Sequence, residues 1–255
     1  FSVIHTGEGD GWNPNKPSLS SVIQFDGHFF LIDAGPHIIK ILKAVGLSPD
    51  QLSGIFMTHV HDDHFAGLFD LIDEKNPLTI FSTPVIRSTV VKKLAALLSV
   101  TEKKINSYFK FSDLKRNGGN KQSGMEIKPL PTAHPVDTTL FIFRAKGKKR
   151  YYSYGHYSDI VALSWLKTMI VDKKSKIGVS KKYFESVKAD LEIVLDLKKV
   201  DVGGPTIHGD AEDFVNDKSG KLVLGHTHTP FTERQLAIGN EVTFGHVDTL
   251  IQKKP

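Results

Sequence analysis

Hydrophobic and polar positions alternate over short stretches in the first half of the chain. Residues 21–25 and 28–33 are strand-like runs flanking Asp26-Gly27, a two-residue hairpin signal. Residues 38–45 have helical spacing and stop at Gly46. A short apolar strand, 54–57, enters a histidine-rich turn, and 64–74 has a helical pattern. A strand follows at 78–81. Thr83-Pro84 reads as an N-cap with proline at the first helical position, opening a helix to Leu98. A second helix is expected at 102–108, and the polar, glycine-rich stretch 117–123 reads as a loop.

The second half repeats this alternation. Strands are predicted at 125–130, 139–144 and 150–154, and a helix at 161–169. Ser180 caps a further helix reaching Ala189. Then come a strand at 191–195, a short helix at 212–216, a strand at 222–224 ending in a second histidine-rich turn, and a last strand at 242–247. Two strand-rich halves with helices outside predict an α/β (α+β) chain folded as a four-layer αββα sandwich. Composition shows no break, so residues 1–255 read as a single domain. The start at Phe1 rather than Met reads as the edge of a domain excised from a longer chain.

Composition narrows the chemistry. With 255 residues, 40% hydrophobic and 24% charged, the chain is ordinary globular protein, which excludes disordered, collagenous and coiled-coil classes. Cysteine is absent, so disulfides, thiolate nucleophiles and thiolate metal sites are excluded, and any metal is held by His, Asp or Glu. No apolar run approaches the ~20 residues of a membrane span, so a cytoplasmic protein is expected. The net charge of +5 favours an anionic partner such as a small phosphate ester. The lysine runs are not interleaved with aromatics, so a nucleic-acid groove is not indicated.

The decisive segment is Thr58-His59-Val60-His61-Asp62-Asp63-His64, directly after the apolar strand. Residues two apart in an extended turn project the same way, so His59 and His61 are placed to grip one ion. Asp63 and His64, where a helix begins, are placed to reach a second. Four N/O ligands within six residues are costly to desolvate unless a metal neutralises them.

This HxHxDH pattern after a strand resembles the metallo-β-lactamase superfamily. The resemblance extends to Leu31-Ile32-Asp33-Ala34-Gly35, Thr132-Ala133-His134 and Leu224-Gly225-His226, and in motif it is nearest the phosphodiesterase branch, which includes tRNase Z and cyclic-nucleotide phosphodiesterases. It implies two divalent transition-metal ions (Zn, Fe or Mn), the first on His59, His61 and His134 and the second on Asp63, His64 and His226. It also implies a carboxylate shared by both ions. Two alignments compete for that position: Asp159, ending Tyr157-Ser158-Asp159, and His156, in Gly155-His156. A histidine there would leave the ions without a shared carboxylate.

His208, in Thr206-Ile207-His208-Gly209-Asp210, lies where the phosphodiesterase branch places a histidine that assists at the phosphate, and Asp63 is a candidate to orient the nucleophile. The glycine-rich first loop brings Trp12 and Ser21 forward as substrate-binding residues, and His228 as another. His5, His28, His37 and His246 read as structural. The function implied is a dinuclear hydrolase, a phosphodiesterase acting on a nucleotide or cyclic (di)nucleotide through a metal-activated hydroxide. The alternative is a non-hydrolytic di-iron redox or ligand sensor on the same fold. A homodimer is compatible with either.

Overall fold

The computed structural model describes residues 1–116, 118–171, 177–204 and 206–252. Seven strands form the first sheet: β1 (Ser2–Gly7), β2 (Ser20–Phe25), β3 (His28–Ile32), β4 (Leu52–Phe56), β5 (Leu78–Ser82), β6 (Phe109–Asp113) and β13 (Val247–Thr249), in the order β13-β1-β2-β3-β4-β5-β6. Six form the second: β7 (Asn120–Gln122), β8 (Met125–Thr132), β9 (Thr138–Lys146), β10 (Tyr151–Tyr157), β11 (Leu197–Asp201) and β12 (Lys221–Gly225), in the order β12-β11-β10-β9-β8-β7.

The sheets pack face to face through an aromatic layer in which Phe30, Phe56, Phe81, Phe141, Phe143 and Tyr154 are buried. Phe56 sits at its centre, 4.9 Å from both Phe81 and Phe143 by ring centroid. The outer face of the first sheet is covered by α1 (Ile38–Ala44), α3 (Pro84–Leu98) and α4 (Glu102–Tyr108). On the second sheet, α5 (Leu163–Thr168) and α6 (Lys181–Leu191) take that place. The four-layer αββα sandwich is therefore the observed architecture. No helix among the described residues is long and apolar enough to cross a membrane.

The β2–β3 hairpin turns at Asp26 (φ 50°) and Gly27 (φ 82°), the positive pair that a type I′ turn requires. Ser180 caps α6 by accepting from the Tyr183 amide. Thr83 occupies the N-cap of α3, yet its hydroxyl makes no capping bond. The expected helix over 64–74 is instead one turn, α2 (Asp62–Phe65), running into 3₁₀ geometry at Ala66–Leu71. There the Gly67 amide turns to the Ala34 carbonyl at 2.7 Å. The stretch expected as a loop contains β7; Asn117 lies outside the described residues.

Two further expectations shift. The strand expected at 191–195 begins at Leu197, because α6 runs on to Leu191. The last strand is Val247–Thr249 rather than 242–247. β11 was hidden by its lysines: Lys198 and Lys199 are both fully buried, against the usual rule for lysine. Lys198 Nζ donates to the Leu191 carbonyl and pairs with Asp217. Lys199 Nζ donates to the Gly7 and Ser20 carbonyls at 2.6 and 2.8 Å.

Candidate metal centre

Strands β3 and β4 run parallel, as do β10, β11 and β12, and β8 shares the direction of β10 through antiparallel β9. The C-terminal ends of β3, β4, β8, β10, β11 and β12 therefore open at one edge of the sandwich. The side chains of interest leave from there: Asp33, His59 to His64, His134, Asp159, Asp201 and His226. Three of these, Asp33 (φ 59°), Asp159 (φ 39°) and His226 (φ 64°), hold the left-handed backbone that non-glycine residues avoid.

The side chains form two groups that share one carboxylate. His59, His61, His134 and Asp159 offer ligand atoms within 4.8 Å of one another, and so do Asp63, His64, Asp159 and His226. Asp159 Oδ2 is 3.4 Å from His59 Nε2 and 3.4 Å from His134 Nε2. Its other oxygen, Oδ1, is 3.0 Å from His64 Nε2 and 3.2 Å from His226 Nε2. Asp63 Oδ2 closes the second group at 3.1 and 3.2 Å from the same two nitrogens.

Hydrogen bonds behind the rings fix which nitrogen carries a proton. Thr58 Oγ1 donates to Asp33 Oδ2 at 2.6 Å, so it accepts from His59 Nδ1 at 2.9 Å. His64 Nδ1 donates to the same carboxylate oxygen at 2.9 Å. His59 Nε2 therefore presents a lone pair to Asp159 Oδ2, while His64 Nε2 faces Asp159 Oδ1. His59 Nε2 and Asp159 Oδ2 are buried, face each other and have no hydrogen-bond partner among the described residues. Two buried acceptors so opposed are unfavourable unless a cation lies between them. Ligands about 2.1 Å from a common ion are separated by about 3.0–3.4 Å, which is the spacing seen here. The residues present fit a metal.

The electrostatics agree. Burial, which disfavours the charged form, pushes His134 down to about 3 and holds His61 below its ordinary value, so both rings are neutral and able to ligate. Burial would also lower His64 and His226. The charge of Asp159, aided by Asp63 at His64 and by Asp201 at His226, lifts both well above the ordinary value instead. The second group thus favours positive charge at its Nε2 atoms.

Of the two residues that compete for the shared position, Asp159 is the one that faces both histidine groups. His156 lies inside the sandwich: Tyr154 donates its hydroxyl to Ser21 Oγ and accepts from His156 Nδ1 at 2.9 Å. Strand alternation sends His156 to the Tyr154 side, and the ligand position comes two residues after β10 ends. Ser21, expected at the substrate, lies in the interior. It is fully buried, bonded to Tyr154 and near Lys199, away from the surface.

Trp12 is 81% exposed, on a loop whose Gly11 lies against Asp63. A Cβ at Gly11 would come within 2.7 Å of the Asp63 Cβ, so only glycine allows that approach. His228 Nδ1 pairs with Asp10 Oδ2 at 2.5 Å, joining this loop to the turn after β12. His208 Nδ1 is 3.2 Å from Asp201 Oδ2, and its ring centroid is 4.6 Å from that of His226.

Two supporting carboxylates carried no role in the sequence reading. Asp33 was visible only as part of a motif. Asp201 Oδ2 accepts from the Ile160 and Gly209 amides and from His208, while Oδ1 accepts from Gly203 and faces His226 Nδ1 at 3.4 Å. An aspartate ending a strand before Gly203-Gly204 was the available signal, and the buried lysines concealed the strand.

A family model described as "Anti-Pycsar protein Apyc1" matches residues 1–185. The chain belongs to this family. The match includes the His59–His64 turn, His134 and Asp159, and ends before Asp201, His208 and His226 of this Apyc1-family chain. A cGMP-dependent 3′,5′-cGMP phosphodiesterase A of Dictyostelium discoideum is 25% identical over 153 residues, 60% of this chain and 18% of that protein. A ribonuclease Z of Methanococcus maripaludis is 27% identical over 143 residues, 52% of this chain and 44% of that protein. The chain thus spans less than half the length of either relative. Among solved structures, the metallo-β-lactamase fold protein YhfI of Bacillus subtilis superposes with a TM-score of 0.67 at 15% identity, covering 96% of this chain and 97% of the other. The Apyc1-family chain accordingly has the metallo-β-lactamase fold, and its homologues are hydrolases.

Proposed function

We propose that the chain is a metal-dependent phosphodiesterase acting on a cyclic nucleotide or cyclic dinucleotide, with two divalent ions drawn from Zn, Fe and Mn. The observation that carries this reading is the division of Asp159, whose two oxygens face two separate histidine groups. His59, His61 and His134 would hold one ion and Asp63, His64 and His226 the other, with Asp159 common to both. When bound, such a pair supplies positive charge at the phosphoryl oxygens and acidifies the attacking water.

The chain's own residues do the rest. Asp33 and Asp201 hold the imidazoles in the tautomer and orientation that present Nε2. Asp63, whose Oδ2 is held by His64 and His226, orients the nucleophile. His208 keeps Nδ1 on Asp201, which raises its affinity for a proton against the effect of burial. Its Nε2 is then the atom that contacts the phosphate and gives a proton to the leaving oxygen. The basic balance of the chain and the phosphodiesterase relatives support a phosphate-ester substrate. The non-hydrolytic alternative drew on an irregular shared position; Asp159 lying between both histidine groups supports the hydrolytic reading instead.

The test is turnover of bis(p-nitrophenyl) phosphate and of a panel of 3′,5′-cyclic nucleotides and cyclic dinucleotides after loading with Mn, Fe or Zn. Hydrolysis with at least one metal is expected. No hydrolysis with any of them overturns the reading.

A further inference from the structure

Beside the first histidine group the surface folds into a cavity of about 500 Å³. Its walls are α5, the start of α6 and the turn that follows β8. His134 belongs both to this wall and to the first histidine group. The rest of the wall is mostly apolar and aromatic: Trp165, Met169 and Tyr183 are 45%, 40% and 36% exposed, and Val136 and Ile207 are among the other lining residues. Large apolar side chains gathered in one concavity next to a polar site are the usual composition of a small-molecule pocket, and the volume falls in the usual range of about 300–1,000 Å³. Polar edges are few. The Tyr183 phenol and the exposed Asp137 carboxylate lie on this wall, and burial raises the Tyr183 pKa, which keeps the phenol a hydrogen-bond donor.

We propose that this cavity is the subsite for the nucleobase of the substrate, with Trp165 as a stacking surface and Tyr183 and Asp137 meeting the base edge. The inference rests on the phosphodiesterase reading above. A phosphate seated among the histidine groups leaves its nucleoside next to His134, and the wall continues from that ring into the cavity. The rival stacking surface is Trp12, on the loop that packs against Asp63.

The chain has two tryptophans, so each can be isolated as a fluorescent reporter. Zinc-loaded Trp12→Phe is titrated with adenosine 5′-monophosphate and, as the base-free control, with ribose 5-phosphate. Saturable quenching of Trp165 by the nucleotide alone is expected. By equilibrium dialysis, Trp165→Ala is expected to weaken nucleotide binding about tenfold and leave ribose 5-phosphate unchanged. Met169→Glu, which places charge in the cavity without touching either tryptophan, is expected to act in the same direction. Quenching seen only in Trp165→Phe, where Trp12 reports, overturns the proposal. So does equal binding of the two ligands, or a Trp165 signal that follows protein concentration and marks a contact between copies. Turnover of bis(p-nitrophenyl) phosphate and of the cyclic-nucleotide panel by the unmodified chain separates the two readings: hydrolysis with no quenching sinks the subsite alone, and no hydrolysis of any of them with any metal sinks the phosphodiesterase reading.

Discussion

The two histidine groups are built differently. The first has three imidazoles and one oxygen of Asp159. Its rear nitrogens rest on neutral groups: His59 on the Thr58 hydroxyl at 2.9 Å and His134 on the Ile207 carbonyl at 3.2 Å. The second has two imidazoles and two carboxylate oxygens, and its rear nitrogens face carboxylates, Asp33 at 2.9 Å and Asp201 at 3.4 Å. A carboxylate behind an imidazole raises the basicity of the ligating nitrogen and locks the ring. The second group is therefore the more anionic and the better supported. It should hold its ion more tightly, and a graded chelator titration should empty the first group before the second.

Asp159→Asn is the sharpest way to break this picture, because one amide replaces the oxygens serving both groups. Metal content by elemental analysis is expected to fall from two ions to one or fewer, and phosphodiester turnover by at least about 100-fold. Retention of two ions would show that the groups are independent. His134→Ala should remove only the first ion, leaving one per chain, because the second group keeps all its ligands. Loss of both ions in His134→Ala would place the coupling elsewhere than in Asp159.

Asp33→Asn and Asp201→Asn sharpen the comparison by a smaller step. Each leaves every ligand in place and weakens only what stands behind it. Affinity for the second ion is expected to drop about 10–100-fold in a dialysis series. Asp33→Asn should also disturb the first group slightly, through Thr58 and His59. Asp201→Asn should leave the first ion untouched and reduce turnover beyond its effect on metal, because His208 loses its partner.

How much of this could be read beforehand follows the same division. The alternating strands, the Asp26-Gly27 turn and the dense His59–His64 segment are local signals, and the sandwich and the first four candidate ligands follow from them, whereas His134 and His226 came only through the family resemblance. What stayed hidden depends on groups far apart in the chain. β11 looked polar because Lys198 and Lys199 find their carbonyl and carboxylate partners only in the folded interior. Asp201 was lost with it. Ser21 read as a loop residue near a phosphate, yet the inward face of β2 carries it into the core beside Tyr154. A choice between His156 and Asp159, three residues apart, needs the point at which β10 ends, and residue spacing does not define that point.

The smallest effect on metal is expected from His156→Gln, and it tests the placement of the shared ligand most directly. His156 is fully buried and neutral: burial holds it well below its ordinary value, and the Lys199 ammonium pushes the same way. Its Nδ1 bonds the Tyr154 hydroxyl, and none of the ligand clusters includes it. Glutamine keeps a donor for Tyr154 while removing the ring. Folding stability should fall by about 1–3 kcal/mol, the range for disturbing a buried hydrogen-bonded group, as read from denaturant unfolding. Two ions per chain should remain by elemental analysis, with turnover of bis(p-nitrophenyl) phosphate within a few-fold of the unmodified protein. If His156→Gln lost an ion that Asp159→Asn retained, the carboxylate would not be the common ligand, and the contrast between a neutral-backed and a carboxylate-backed group would have to be rebuilt around the imidazole.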